Sequence, residues 1–144
     1  MRKPSKWLRC KSKALAASRS EQETATLECP LFLGGHSYGG RQASILAADE
    51  PTLVQGLLLL SYPLHPPAKP GQRRTVHFPR ISVPAMFVHG TADPFGSVEE
   101  LQVAVPLIPA PTKIIPIVGA RHDLKSGRFD LPGIVTAFLD LVAS

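Results

Sequence analysis

Three scarcities shape this chain. Cysteine occurs only at positions 10 and 29. Two residues do not make a disulfide framework and do not have the spacing of a metal site, so reduced thiols and a reducing, cytoplasmic setting are expected. Long apolar runs are missing too. The longest, around Gly56–Leu60, is strand-sized and far short of the roughly 20 residues of a membrane span. The N-terminus, "MRKPSKWLRCKSKALAAS", lacks the apolar core of about 7–15 residues that a secretory signal needs. Finally, residues 1–20 contain no Asp or Glu, while Arg2, Lys3, Lys6, Arg9, Lys11, Lys13 and Arg19 fall there.

That last imbalance decides how the net charge of +5 and the pI near 9.6 are read. Seven of the sixteen Lys and Arg lie in the first twenty residues, and the other 124 residues hold nine bases against eleven acids. The basicity belongs to one end, so a nucleic-acid surface on the domain is not expected. Basic, Ser-containing and acid-free, this end has the make-up of an organelle transit peptide. The reading preferred here is the plainer one, a basic lead-in over 1–28, helical or poorly ordered.

What remains, 29–144, suits one soluble globular domain. A length of 144 residues with 44% hydrophobic side chains is enough for one core. "PLFLGG" is a short apolar run ending in glycine, hence a buried strand. "YGGRQASILAADEP" has Ala43, Ile45, Leu46 and Ala47 at helical spacing, with Pro51 as the stop. "LVQGLLLLSYPL" is apolar without alternation, as a strand covered on both faces would be. A proline-rich loop fills 65–84. "PAMFVHG" reads as a third strand. Ser97, with Glu99 and Glu100 behind it, marks a helix start. "TKIIPIVGA" reads as a fourth strand, at an edge because of Pro116, and "LPGIVTAFLDLVA" as a closing helix. Strands alternating with helices predict an α/β domain with a mainly parallel sheet flanked by helices.

The densest signal is "LFLGGHSYGG". Gly35 and Gly40 have the spacing of a phosphate-binding loop, but Arg41-Gln42 stands where Lys and Ser or Thr should meet phosphates and magnesium. No G-x-G-x-x-G occurs. Gly35-His36-Ser37-Tyr38-Gly39, by contrast, is G-x-S-x-G set between a strand and a helix. There the serine stands on a tight turn. Small residues two before and two after it keep side chains away, and the Tyr38 backbone N–H at the helix start can stabilise an oxyanion.

A serine hydroxyl needs a base, and the base an orienting carboxylate. On this architecture they follow the serine in the order acid, then histidine, each on a loop after a strand. Asp93 in "HGTADPFG" and His122 in "VGARHDL" meet that requirement. The expected site is therefore Ser37, Asp93 and His122, with the Tyr38 amide. Asp123 is expected to stabilise its loop, His36 to pack against neighbouring loops, and His89 to make a structural hydrogen bond. Lys69, Arg73 and Arg74 are expected in solvent, as are His65 and His77, with lining a substrate pocket as the alternative for the two histidines, since the proline loop is expected to border the acyl or alcohol pocket.

With those residues placed, the chain resembles the C-terminal part of an α/β-hydrolase, most closely small bacterial proteins related to dienelactone hydrolases. "GGHSYGGR", "SYPLHPP", "VPAMFVHGTADPFG" and "HDLK" carry the resemblance, from about residue 30 to the end. It implies a serine hydrolase of esters or related acyl compounds, with no metal or cofactor. The family normally has further strands before the nucleophile strand, one of which carries the second oxyanion donor, and no "HGGG"-like stretch precedes Pro30. Three expectations follow. The fold is a shortened α/β-hydrolase. The strand at 30–34 exposes an edge open to self-association. The chain is either a working hydrolase on a small-molecule acyl substrate or a weak or inactive hydrolase-like binding module or fragment.

Overall fold

Four short apolar runs become four parallel strands. The computed structural model describes residues 29–144, so the lead-in expected over 1–28 lies outside the described residues. In chain order the elements are β1 (Leu33–His36), α1 (Tyr38–Asp49), β2 (Leu57–Leu60), β3 (Ala85–Gly90), α2 (Val98–Ala104), β4 (Thr112–Ile117) and α3 (Leu131–Ala143). The sheet order is β1-β2-β3-β4, every pair parallel. Each crossover is therefore a βαβ-type connection or a long loop, as parallel neighbours require. The result is an α/β fold with a four-stranded parallel sheet flanked by helices among the described residues.

Alternation along the strands divides the core between two faces. Leu57 and Leu59 of β2 and Ala85 and Phe87 of β3 pack with Ala43 and Ala47 of α1 and Leu101 of α2. Met86 and Val88 turn the other way, onto Ile134 and Phe138 of α3. All six residues of β3 are buried, which is why its sequence shows no polar alternation. Phe87 is fully buried, and each side chain of that size contributes about 1.5–3 kcal/mol of transfer free energy. Phe138 forms an edge-to-face contact with Phe32, ring centroids 5.3 Å apart, fixing α3 beneath the sheet.

Local chemistry sets the ends of the elements. Ser97 caps α2: its Oγ accepts from Glu100 N at 3.1 Å, while Glu100 Oε2 accepts from Ser97 N at 2.8 Å. This reciprocal box satisfies two of the helix's otherwise orphaned donors. Asp130 caps α3 with a single bond, accepting from Gly133 N at 3.1 Å. Pro116 falls in β4, an edge strand among the described residues, where a missing N–H costs no ladder bond. At the opposite edge, β1 pairs with β2 alone among the described residues.

Two expectations are corrected. The strand expected across 53–64 is confined to Leu57–Leu60, because Ser61 turns to φ 48° and leaves the sheet. The proline loop packs inward. It contributes Phe78 and Ile81, both fully buried, to the core and forms one 3-10 turn at Phe78–Arg80. His65 and His77 are buried with it, at 5% and 7% exposure, His65 against Glu100 of α2 and His77 against Ser44 of α1.

Candidate active site

At the carboxyl end of β1 the chain bends hard. Ser37 N still donates to Leu60 O at 2.8 Å, extending the ladder by one bond. Its backbone then adopts φ 53° and ψ −121°, and α1 begins at the next residue. A non-glycine residue held there costs on the order of 1–3 kcal/mol, which the surrounding structure must supply. Close backbone contact makes the bend possible. A Cβ on Gly35 would lie 2.6 Å from Gly39 C, and one on Gly40 would lie 2.5 Å from Gly35 O. Gly39 faces open space. The residue that must be small after the serine is thus Gly40, a correction to the two-before, two-after reading. Tyr38 points its ring outward, 68% exposed, and its N–H is the first of α1, with no partner inside the helix.

Two further loops leave the same end of the sheet and are stitched together. Ala92 N donates to Ala120 O at 2.9 Å, Thr91 N to Ile117 O at 3.1 Å, and Gly119 N to Thr91 Oγ1 at 2.9 Å. Gly90 lies so close to the Ala120 carbonyl that no side chain fits. These ties bring Asp93 and His122 face to face. His122 Nδ1 lies 2.8 Å from Asp93 Oδ2 and 3.0 Å from Oδ1, and its Nε2 lies 2.7 Å from Ser37 Oγ. Opposite a carboxylate, Nδ1 carries the proton, which leaves Nε2 to accept from the serine hydroxyl. The Asp93 side chain is fully buried, and His122 keeps 21% exposure. A buried carboxylate needs donors on both oxygens, and Phe95 N adds one to Oδ1 at 2.8 Å. All three side chains singled out in the sequence therefore meet in one hydrogen-bonded line.

The neighbours fall as expected in three cases. His36 Nε2 reaches the His122 carbonyl at 2.6 Å, joining the elbow to the histidine loop. Asp123 accepts from Lys125 N at 3.1 Å. His89 Nε2 donates to Gly96 O at 2.8 Å, closing the Asp93 loop, and burial pushes its pKa down against the raising influence of Gly96 and Asp93. Phe95 carried no sequence signal, yet its ring lies on His122 with centroids 4.2 Å apart and planes 31° from parallel. An open cavity of about 290 Å³ adjoins His36, lined also by Leu60, Asp123, Leu124 and Phe129.

A second serine–histidine contact lies elsewhere and does different work. Ser44 Oγ is 2.8 Å from His77 Nε2, but Ser44 is fully buried and gives its proton to Arg41 O at 2.7 Å. His77 therefore donates to the serine. Burial, then the Arg41 and Arg80 guanidiniums, lowers its pKa to about 4, and the contact pins the proline loop to α1. Among the described residues, no three His, Cys, Asp or Glu converge as metal ligands, and no helix is long and apolar enough to cross a membrane.

Comparison with known proteins bears on this arrangement. A family model described as "alpha/beta hydrolase domain" matches residues 2–130. Among solved structures, the chain is similar to Est1E from Butyrivibrio proteoclasticus, at 17% identity and TM-score 0.67, over 87% of this chain and 66% of that one. It is also similar to a monoacylglycerol lipase of Paleococcus ferrophilus, at 16% identity and TM-score 0.65, over 94% of this chain and 74% of that one. A third is a dienelactone hydrolase from Anabaena variabilis, at 18% identity and TM-score 0.55, over 82% of this chain and 49% of that one. The chain thus spans just under two thirds of Est1E and about half of the dienelactone hydrolase.

Proposed function

The chain belongs to the alpha/beta hydrolase domain family, and on that premise we propose that it is a serine hydrolase of esters or related acyl compounds. Ser37 is the nucleophile, His122 the general base and Asp93 the group that orients it. The observation that carries this reading is the unbroken line from Ser37 Oγ through both His122 ring nitrogens to Asp93, at 2.7 and 2.8 Å.

The chemistry follows from the geometry. His122 Nε2 takes the Ser37 proton as Oγ attacks the acyl carbon, and the carbonyl π electrons move onto oxygen. Asp93 stabilises the imidazolium without taking its proton. The Tyr38 N–H, at the positive end of α1, faces the developing oxyanion. Collapse expels the alcohol, protonated by His122, and leaves an acyl-Ser37 ester. Water activated by the same imidazole then releases the acid and regenerates the hydroxyl. The scheme needs no metal or cofactor. Family members take a second oxyanion N–H from a loop on an earlier strand. A site working with Tyr38 alone is slower by on the order of 10²–10³.

One observation favours the rival reading, a hydrolase-like binding module: the chain spans only 49–74% of the solved relatives named above. Labelling with a fluorophosphonate probe separates the two. The hydrolase reading requires covalent labelling of the wild-type chain that is lost in Ser37→Ala. A folded chain that stays unlabelled is a binding module.

A further inference from the structure

Phe95 is held at three points, two of them on the proposed catalytic line. Its N–H donates to Asp93 Oδ1 at 2.8 Å. Its carbonyl accepts from His65 N at 3.0 Å. Its ring lies on the imidazole of His122. The His65 ring is itself fixed, with Nδ1 2.8 Å from Pro66 O and Nε2 3.2 Å from Glu100 Oε2. Glu100 in turn belongs to the capping box of α2. Phe95 is thus braced by the proline loop and by α2, two elements that make no direct contribution to the Ser37–His122–Asp93 line.

We propose that Phe95 is the positioning residue of this site: its ring holds the His122 imidazole in line with Ser37 and stabilises the positive charge that forms there. The inference rests on the serine-hydrolase reading. Once Ser37 Oγ turns to the acyl carbon, the imidazole is hydrogen-bonded to the protein only at Nδ1 and can swing about that bond. The 4.2 Å centroid separation and 31° tilt place an aromatic face against the ring and block the swing to one side. His36 secures the backbone of the same residue through the His122 carbonyl, so the ring and the main chain are fixed by different partners.

The electrostatics favour the step being catalysed. In the resting site the imidazole is neutral and gains little from an aromatic face beyond packing. When it takes the Ser37 proton it becomes a cation, and the negative π-face of Phe95 attracts it. The stabilisation is larger in the transition state than in the ground state, and only that difference accelerates the reaction. An aliphatic residue of similar bulk fills the space without supplying the attraction.

The test compares Phe95→Leu, Phe95→Met and Phe95→Tyr with the wild type, each checked for native far-UV circular dichroism. Fluorophosphonate labelling rates are measured, and kcat and KM are measured with p-nitrophenyl acetate. Leu and Met are expected to slow labelling and kcat by about tenfold, with KM within about twofold, while Tyr restores at least half of both rates. A proton NMR spectrum adds a readout independent of turnover: the His122 ring protons shifted by the Phe95 ring current return towards ordinary positions in Leu and Met but not in Tyr. Leu and Met variants that react as fast as the wild type overturn the proposal. So does a Tyr variant as slow as both, since the ring is then only filling space. A wild-type chain that never labels removes the hydrolase reading and this inference with it. A labelled wild type with unaffected Leu and Met variants removes this inference alone.

Discussion

Ser37 Oγ and His122 Nε2 stand 2.7 Å apart although 85 residues separate them in the chain. Nothing local joins them. The contact exists because β1 and β4 end at the same carboxyl end of a parallel sheet, with β2 and β3 between them in register.

The orienting carboxylate gives the first prediction. Asp93→Asn keeps the size and burial of the side chain, but an amide can present its N–H₂ to Nδ1 and favour the wrong imidazole tautomer. The expected outcome is a kcat reduced by on the order of 10⁴ with KM little changed, measured with p-nitrophenyl acetate. A loss smaller than tenfold would count against Asp93 in this role.

Two adjacent glycines should respond in opposite ways. A Cβ on Gly40 meets the Gly35 carbonyl at 2.5 Å, whereas one on Gly39 meets nothing within 4 Å. Gly40→Ala should therefore displace the elbow, lower Tm and abolish fluorophosphonate labelling. Gly39→Ala should gain about 0.5–1 kcal/mol from helix propensity and keep labelling. Thermal melts alongside labelling decide the matter, and equal behaviour of the two variants would refute the close-approach argument.

The cap of α2 offers a stability test away from the chemistry. Ser97→Ala removes the oxygen that accepts from Glu100 N at 3.1 Å. A loss of about 1 kcal/mol is expected, which lowers Tm by a few degrees in a chain of this size. Urea midpoints of the two proteins measure it.

Acid should weaken the fold through His77. Its pKa in the folded chain is about 4, below the ordinary 6.5, so the folded state favours the neutral ring. Between these values the unfolded chain binds more protons. The contribution is complete above about pH 6.5, declines as pH falls towards 4 and is gone below it, at most about 3 kcal/mol in all. His65 has the opposite sign. Its pKa is raised, first by the Pro66 carbonyl, so its stabilisation is complete at low pH and is lost as pH rises through the folded value. Urea unfolding of wild type and His77→Gln at pH 7, 5.5 and 4 is expected to show a steeper acid loss in the wild type. Parallel curves would exclude His77 as the source.

Much of this was legible in the chain because it depends on local order. Helix α3 runs over Leu131–Ala143, the stretch that its apolar spacing marks. Ser97 with Glu99 and Glu100 behind it announces the start of α2 by residue type and spacing alone. The order of serine, acid and histidine, each after an apolar run, is likewise a property of sequence. His65 and His77 were misplaced for the complementary reason: an irregular proline-rich segment has no periodicity from which burial can be read, and only contacts with α2 and α1, respectively, put them inside.

The sequence by itself therefore determined the elements, their order and which three side chains are available to meet, since hydrophobic period, caps and turn residues act over a few positions. Tertiary structure alone decided that Gly40 rather than Gly39 makes the elbow possible, that Ser44–His77 is a pin, and that Phe95 lies on His122. Each of these depends on distances between segments remote in the chain, set by the register of the sheet and the packing of the loops above it, and no local pattern encodes such a distance.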